Sequence, residues 1–254
     1  VQGVGFRPFI YRQAVERDLA GYVKNLADGS VEIIVQGSSR NVSDFKKALR
    51  EPPALARIDR LQWKKSSELD YHSFKITESG GVALGGIVPP DTGVCGNCLN
   101  DFHEKGGRRS GYAFTSCTQC GPRYTIIHDM PYDRENTSYS RHRMCGDCRR
   151  EYDDPDDRRF NYKSISCPKC GPKIRVYDDT GACRDKMGLR DAGRLLNEGA
   201  VIAVKNSGGI HLACDAGNTD SVERVRSILG RPSQPLAVMS RTLKEAGEYA
   251  TYSK

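Results

Sequence analysis

The chain has 254 residues, of which 37% are apolar and 28% charged, with 26 glycines, ten cysteines and a net charge of +7. That length suits two or three small domains rather than one large core, and no apolar run approaches the roughly 18 residues of a membrane span. No secretion signal opens it, so cysteines paired two residues apart point to a reducing compartment, the cytoplasm, and to metal rather than disulfides.

The chain opens on Val1-Gln2-Gly3-Val4-Gly5-Phe6-Arg7. Two glycines let this backbone bend so that several N–H groups point inward. Pro8 suits the first turn of a helix running to about Asp18 with Ile10 and Ala14 inward. A glycine loop feeding a helix N-terminus is a ready anion site, and Arg7 adds a forked charge. Gln2, Gly3, Val4, Gly5 and Phe6 are therefore the candidate phosphate loop. A strand follows at Tyr22–Asn25, then a turn at Asp28-Gly29 and a strand at Ser30–Gln36 with Val31, Ile33 and Val35 on one face. A helix near Val42–Arg50 carries Val42, Phe45 and Leu49 at helical spacing, and Pro52-Pro53 stops it. Strands near Ile58–Trp63 and Phe74–Ile76 complete a ferredoxin-like order.

These residues resemble the acylphosphatase signature, over about 78 residues: V-Q-G-V-G-F-R, then G-Y-V-K-N-L-A-D-G-S-V-E from Gly21 to Glu32. The resemblance implies that Arg7 holds the substrate phosphate and that Asn25 orients the attacking water. An acyl phosphate is already activated, so charge neutralisation and positioning suffice. The family's first strand precedes V-Q-G-V and is missing from this sequence, which looks clipped at its N-terminus. The expectation is weak acylphosphatase activity from this chain alone, because that strand is central to the sheet.

Eight cysteines form a tandem repeat. Cys95, Cys98, Cys117 and Cys120 recur 50 residues on as Cys145, Cys148, Cys167 and Cys170. Arg108-Arg109, Tyr112 and Gly121-Pro122 recur as Arg158-Arg159, Tyr162 and Gly171-Pro172, which marks a duplicated metal-binding unit. Thiolates at C-x-x-C spacing reach one tetrahedral ion from a tight turn, and four thiolates leave no open position, so two structural Zn2+ sites are expected. Each supplies roughly 10–16 kcal/mol of folding energy. The repeat favours one ion per unit, while a nested pairing stays open. His103, His128 and His142 read as surface or packing residues, and Cys183 and Cys214 as buried or inert thiols. Within 95–175, 15 basic residues interleave with 11 acidic ones; without a basic stripe, nucleic acid is an unfavoured partner.

From Asp185 the pattern becomes α/β. A helix at Leu189–Asn197 precedes a buried strand at Val201–Val204. A basic glycine loop, 205–211, follows, then a helix at Asp220–Leu229 and a strand at Leu236–Met239. Here the sequence resembles the start of a YrdC-like nucleotide-binding domain, in the form seen in HypF-type carbamoyltransferases. The resemblance rests on Lys205, Gly208, Gly209, His211 and 212–216. Leu229 and Gln234 stand where that family usually has lysines, which leaves Lys205 and Arg231 as the phosphate-facing charges.

The whole order resembles the N-terminal part of HypF-type carbamoyltransferases of [NiFe]-hydrogenase maturation. The implied class is α+β multidomain: an acylphosphatase-like sandwich at 1–78, a double zinc finger at 79–180 and the first part of a YrdC-like domain at 181–254. The resemblance also implies carbamoyl phosphate and ATP with Mg2+ as substrates and cofactor, and a HypE-type acceptor protein. A simple acylphosphatase with zinc appendages and a zinc-finger nucleic-acid module are the competing readings.

Overall fold

In this computed structural model the described residues are 3–26, 29–66, 70–77, 90–130, 132–206 and 208–251. Val1, Gln2, Asp28 and Ser207, all used above, lie outside them. The chain divides into two compact units, 1–173 and 174–254.

The first unit begins with helix α1 (Phe6–Val15), which buries Phe6, Pro8, Ile10 and Ala14. Strand β1 (Ala20–Asn25) alternates half-buried and buried residues, as one-sided burial requires. It pairs antiparallel with β2 (Val31–Gln36) and parallel with β3 (Phe74–Ile76), giving the order β2-β1-β3. Helix α2 (Ser39–Ala48) starts at Ser38, whose hydroxyl accepts from the Asn41 amide. Phe45 and Leu49 point inward, and Val31, Ile33, Val35 and Val42 pack on the same core. Fully buried Ile10, Val23 and Phe45 each stabilise it by about 1.5–3 kcal/mol. At Gly21, with φ +132°, a Cβ would lie 2.0 Å from the Ile34 carbonyl oxygen, so the close β1–β2 approach admits no side chain.

One expected strand is not formed. Ile58–Trp63 is irregular: Ile58 touches the core, while Leu61 and Trp63 are exposed. Among the described residues β2 bonds only to β1, so the sheet has three strands, and 58–63 finds no neighbour to complete a ladder.

The cysteine repeats follow in the same unit. Each opens on a short helix, α3 (Gly96–His103) or α4 (Gly146–Asp153), with Cys95 or Cys145 as its N-cap. Each closes on a tight turn at Cys117–Cys120 or Cys167–Cys170.

In the second unit, α5 (Leu189–Asn197) covers the expected helix. Strands β4 (Ile202–Asn206) and β5 (Gly209–Ala213) form an antiparallel hairpin. Residues 209–211, expected in a loop, are therefore strand. The Asn206 side chain accepts from the Gly208 amide at 2.8 Å and tightens the turn. β4 is largely exposed rather than buried. Helix α6 (Thr219–Leu229) is capped by Asn218 and ends on left-handed Gly230. The strand expected at Leu236–Met239 is absent; with no pairing partner the segment is irregular, and Met239 is 97% exposed. A short helix, α7 (Leu243–Ala246), completes the described chain.

Candidate phosphate cradle and metal centres

The glycine bend forms as the sequence requires. Gly3 and Gly5 have φ +71° and +72°, a left-handed region that side chains disfavour. Gly5 is the N-cap of α1. Among the described residues no acceptor meets the amides of Val4, Gly5, Phe6 and Arg7, so the helix start presents bare donors and a positive dipole end.

Gly3, Gly5, Phe6 and Arg7 line one small cavity of about 30 Å³, roughly twice the space a single water needs. Arg7 makes no hydrogen bond or ion pair among the described residues. Burial lowers its pKa from the ordinary arginine value, against the opposing pull of Asp133 and Tyr152. Among the described residues it has no hydrogen-bond partner, and it lines the same cavity as the glycine bend. Asn25 ends the buried face of β1. It is 3% exposed, and neither its amide nitrogen nor its oxygen has a partner. Such an orphan destabilises a fold by about 1–3 kcal/mol. Asn25 is not among the residues lining the cavity, so the structure gathers Arg7 and the bend there but leaves Asn25 at the end of β1, outside that lining.

The cavity's other wall comes from the cysteine repeats: Thr118, Tyr132 and the turn Phe160–Lys163. Several contacts fix it there. Arg123, fully buried, donates to the carbonyls of Gly3 (2.7 Å), Thr118 (2.6 Å) and Gly121 (2.8 Å) and to Thr92 Oγ1. Arg12 donates to the Pro155 carbonyl, and the Tyr11 and Phe160 rings lie 5.9 Å apart. None of Arg123, Thr118 or Phe160–Lys163 was legible as part of the site, because they lie more than 100 residues from the bend. The available signal was a break in the repeat: Arg123 follows Gly121-Pro122 where the second copy has Lys173.

The eight repeat cysteines gather into two clusters, Cys95/Cys98/Cys117/Cys120 and Cys145/Cys148/Cys167/Cys170. The pairing is sequential, and the nested alternative falls. Five of the sulfur pairs are 3.6 to 3.9 Å apart, and all four sulfurs of each cluster lie within 4.8 Å of one another. Four thiolates about 2.3 Å from a tetrahedral ion stand roughly 3.8 Å apart, so the donor sets fit zinc. Cys98 and Cys148 lie in the first turns of α3 and α4, where the helix dipole favours thiolate.

Each cluster is also clamped by the other repeat. Arg108 and Arg109 donate to Cys148 Sγ and bind Glu151; Arg158 and Arg159 donate to Cys98 Sγ and bind Asp101. Tyr162 donates to the Cys120 carbonyl and Tyr112 to the Pro172 carbonyl, each at 3.1 Å. The histidines stand apart: His128 meets Ser138, His142 packs by Tyr139 and His103 by Phe102. Cys183 is exposed rather than buried, and Cys214 half-buried. A hydrogen bond to Asp185 raises the Cys183 thiol pKa.

The candidate nucleotide residues are not gathered. Lys205 pairs with Ile210 and His211 with Val204, so Lys205 and His211 face opposite sides of the hairpin. Gly208 and Gly209 form its turn, with Gly209 at φ +134°. Arg231 follows α6, exposed, and its amide donates to the Arg226 carbonyl. Leu229 and Gln234 are exposed too.

A glycine-bent anion cradle over such a sheet defines an acylphosphatase-type domain, here joined to a double four-cysteine finger. Family models match residues 1–76 as acylphosphatase, 94–127 and 144–177 as the HypF finger, and 194–254 as the telomere recombination (Sua5/YrdC) domain. An acylphosphatase of Mannheimia succiniciproducens is 46% identical over 77 residues, 80% of its length and 29% of this chain. A probable carbamoyltransferase HypF of Methanocaldococcus jannaschii is 47% identical over 95% of this chain and 32% of its own length. Carbamoyltransferase HypF2 of Cupriavidus necator is 45% identical over 98% and 31%. A crystal structure of full-length HypF in the phosphate- and nucleotide-bound form superposes with TM-score 0.90 at 38% identity, covering all of this chain and 33% of that one. The N-terminal domain belongs to the acylphosphatase family; the chain as a whole matches the N-terminal portion of HypF proteins and spans about a third of the length of these relatives.

Proposed function

We propose that this chain carries the carbamoyl phosphate-hydrolysing part of a carbamoyltransferase. The carrying observation is Arg7, a partly buried guanidinium with no hydrogen-bond partner among the described residues, lining one cavity with the Gly3–Arg7 bend. On this reading the cradle holds the phosphoryl oxygens of carbamoyl phosphate; Val4 belongs to the same loop, and Gln2, assigned to it by sequence, lies outside the described residues. Asn25 holds the attacking water, and its two orphaned amide atoms support that role. The water oxygen bonds to phosphorus, the bond to the carbamoyl oxygen breaks, and phosphate and carbamate result. Charge neutralisation by Arg7 and the amides lowers the barrier without a strong base.

Carbamate is short-lived in water, so its use calls for a nearby second step. On this reading the three modules at 1–78, 79–180 and 181–254 act in series. The YrdC-like part, with Lys205, Gly208, Gly209, His211 and Arg231, binds ATP with Mg2+ screening its phosphates. A carbamate oxygen attacks the α-phosphorus, giving carbamoyl adenylate and pyrophosphate. The whole protein then passes the carbamoyl group to a HypE-type acceptor. The nucleotide named for the solved full-length relative supports this assignment. The separated Lys205 and His211 imply that the nucleotide site needs more than this hairpin. Zinc bound by reduced thiols suits a cytoplasmic protein. Among the described residues, no helix is long and apolar enough to cross a membrane.

The test is pyrophosphate exchange into ATP in the full-length protein. Exchange that depends on carbamoyl phosphate and is lost in Arg7→Ala supports the reading. Phosphate release from carbamoyl phosphate without exchange would leave a simple acylphosphatase.

A further inference from the structure

The two fingers are copies in register, yet they differ where the second faces the cradle. Ser110, Gly111 and Ala113 of the first copy correspond to Phe160, Asn161 and Lys163 of the second. The backbone there is alike: Gly111 and Asn161 both have positive φ, +67° and +56°, and their amides donate to the Phe102 and Tyr152 carbonyls at 2.8 Å. A left-handed asparagine is less favourable than glycine. The second copy therefore carries side chains that the fold of the repeat does not need.

Those side chains are held firmly. The Asn161 side-chain oxygen accepts from Tyr152 (2.9 Å) and from Lys163 Nζ (2.8 Å), and Lys163 also pairs with Asp133 at 2.9 Å. The Phe160 ring packs against Tyr11 of α1 at a tilt of 56°. On the opposite side Thr118 presses on Gly5, where an added Cβ would lie 3.2 Å from Thr118 Cβ. A wall pinned this way does not swing aside for a large ligand.

We infer that the Phe160–Lys163 turn of the second finger is a specificity wall, limiting the cradle to phosphates whose acyl group has only a few atoms. The inference rests on the acyl phosphate reading of the Arg7 cradle and adds which acyl groups enter. The cavity is small, about 30 Å³, and Phe160–Lys163 form one side of it, so the bulk of an acyl group on a bound phosphoryl group would meet that turn. Excluding a ring by fixed side chains separates ligands by about one to two orders of magnitude.

The test is a competition measurement on the zinc-loaded full chain, with inorganic phosphate, acetyl phosphate and benzoyl phosphate displacing one another. Wild type should hold acetyl phosphate at least about tenfold more tightly than benzoyl phosphate. Asn161→Gly and Phe160→Ser restore the first finger's residues, and Asn161→Gly relieves the left-handed backbone as well. The ratio should fall about tenfold in each variant. A wild-type ratio near one, or an unchanged ratio in both variants, overturns the wall while leaving the cradle in place. If inorganic phosphate itself fails to bind wild type, the cradle reading falls and the wall with it.

Discussion

Arg158 of the second repeat donates to Cys98 Sγ of the first at 3.0 Å, and its register mate Arg108 returns the bond to Cys148 at 3.2 Å. Each thiolate cluster, carrying excess negative charge with zinc bound, is thus neutralised by guanidinium groups from the other copy. Metal binding in one repeat and folding of the other are linked by this exchange.

Arg158→Ala should weaken zinc at the Cys95 cluster about tenfold or more and leave the Cys145 cluster nearer its original affinity. Competition with a chromogenic chelator, read as two release phases, measures it. Equal weakening at both clusters would show that the clamp acts through the whole fold.

Glu151 is the acid of the second clamp. Burial pushes its carboxyl upward, but Arg109 and Arg108 outweigh this and hold it down at about 2, from an ordinary 4.5. A depressed carboxyl stabilises the fold fully above its unfolded pKa and loses that contribution as pH falls through the folded value. Glu151→Gln should therefore cost about 3 kcal/mol at pH 7. The difference from wild type should stay level down to pH 5.5 and shrink below pH 4.5. Urea denaturation in excess zinc across that range measures it.

Arg123 spans the carbonyls of Gly3, Thr118 and Gly121. Arg123→Lys should loosen the bend and weaken phosphate binding about tenfold, because one ammonium cannot reach all three acceptors. Phosphate titration followed by phosphorus NMR reads the effect. Wild-type affinity in this variant would mean that the bend holds its shape unaided.

On the proposed function, the cost of burying Asn25 without a partner is offset by a ligand contact. Asn25→Leu removes two orphaned polar atoms at similar volume, so stability should hold or rise by about 1 kcal/mol. Carbamoyl phosphate hydrolysis should fall about a hundredfold. A variant that is less stable yet still active would remove Asn25 from the chemistry.

Much was legible beforehand, for local reasons. Gly3 and Gly5 had to bend ahead of Pro8, the alternation in 31–35 marked a one-sided strand, and the spacing of Cys95 to Cys120 enforced a turn-and-turn metal site. Ile58–Trp63 and Leu236–Met239 misled, because a strand exists only when another edge completes it. Lys205 and His211 looked adjacent in a loop, but a hairpin turned them to opposite faces.

The sequence by itself determined the modules: the bend and the C-x-x-C pairs of the two repeats follow from short-range spacing and backbone preference, while the choice of sequential over nested pairing came from the folded structure. Only the tertiary structure decided that Arg108, Arg109, Arg158 and Arg159 reach across to the opposite copy, and that the Phe160–Lys163 turn walls the cradle. Those contacts join residues about 40 to more than 100 positions apart. Burial and charge neutralisation select them in space, and no local pattern encodes which partner wins.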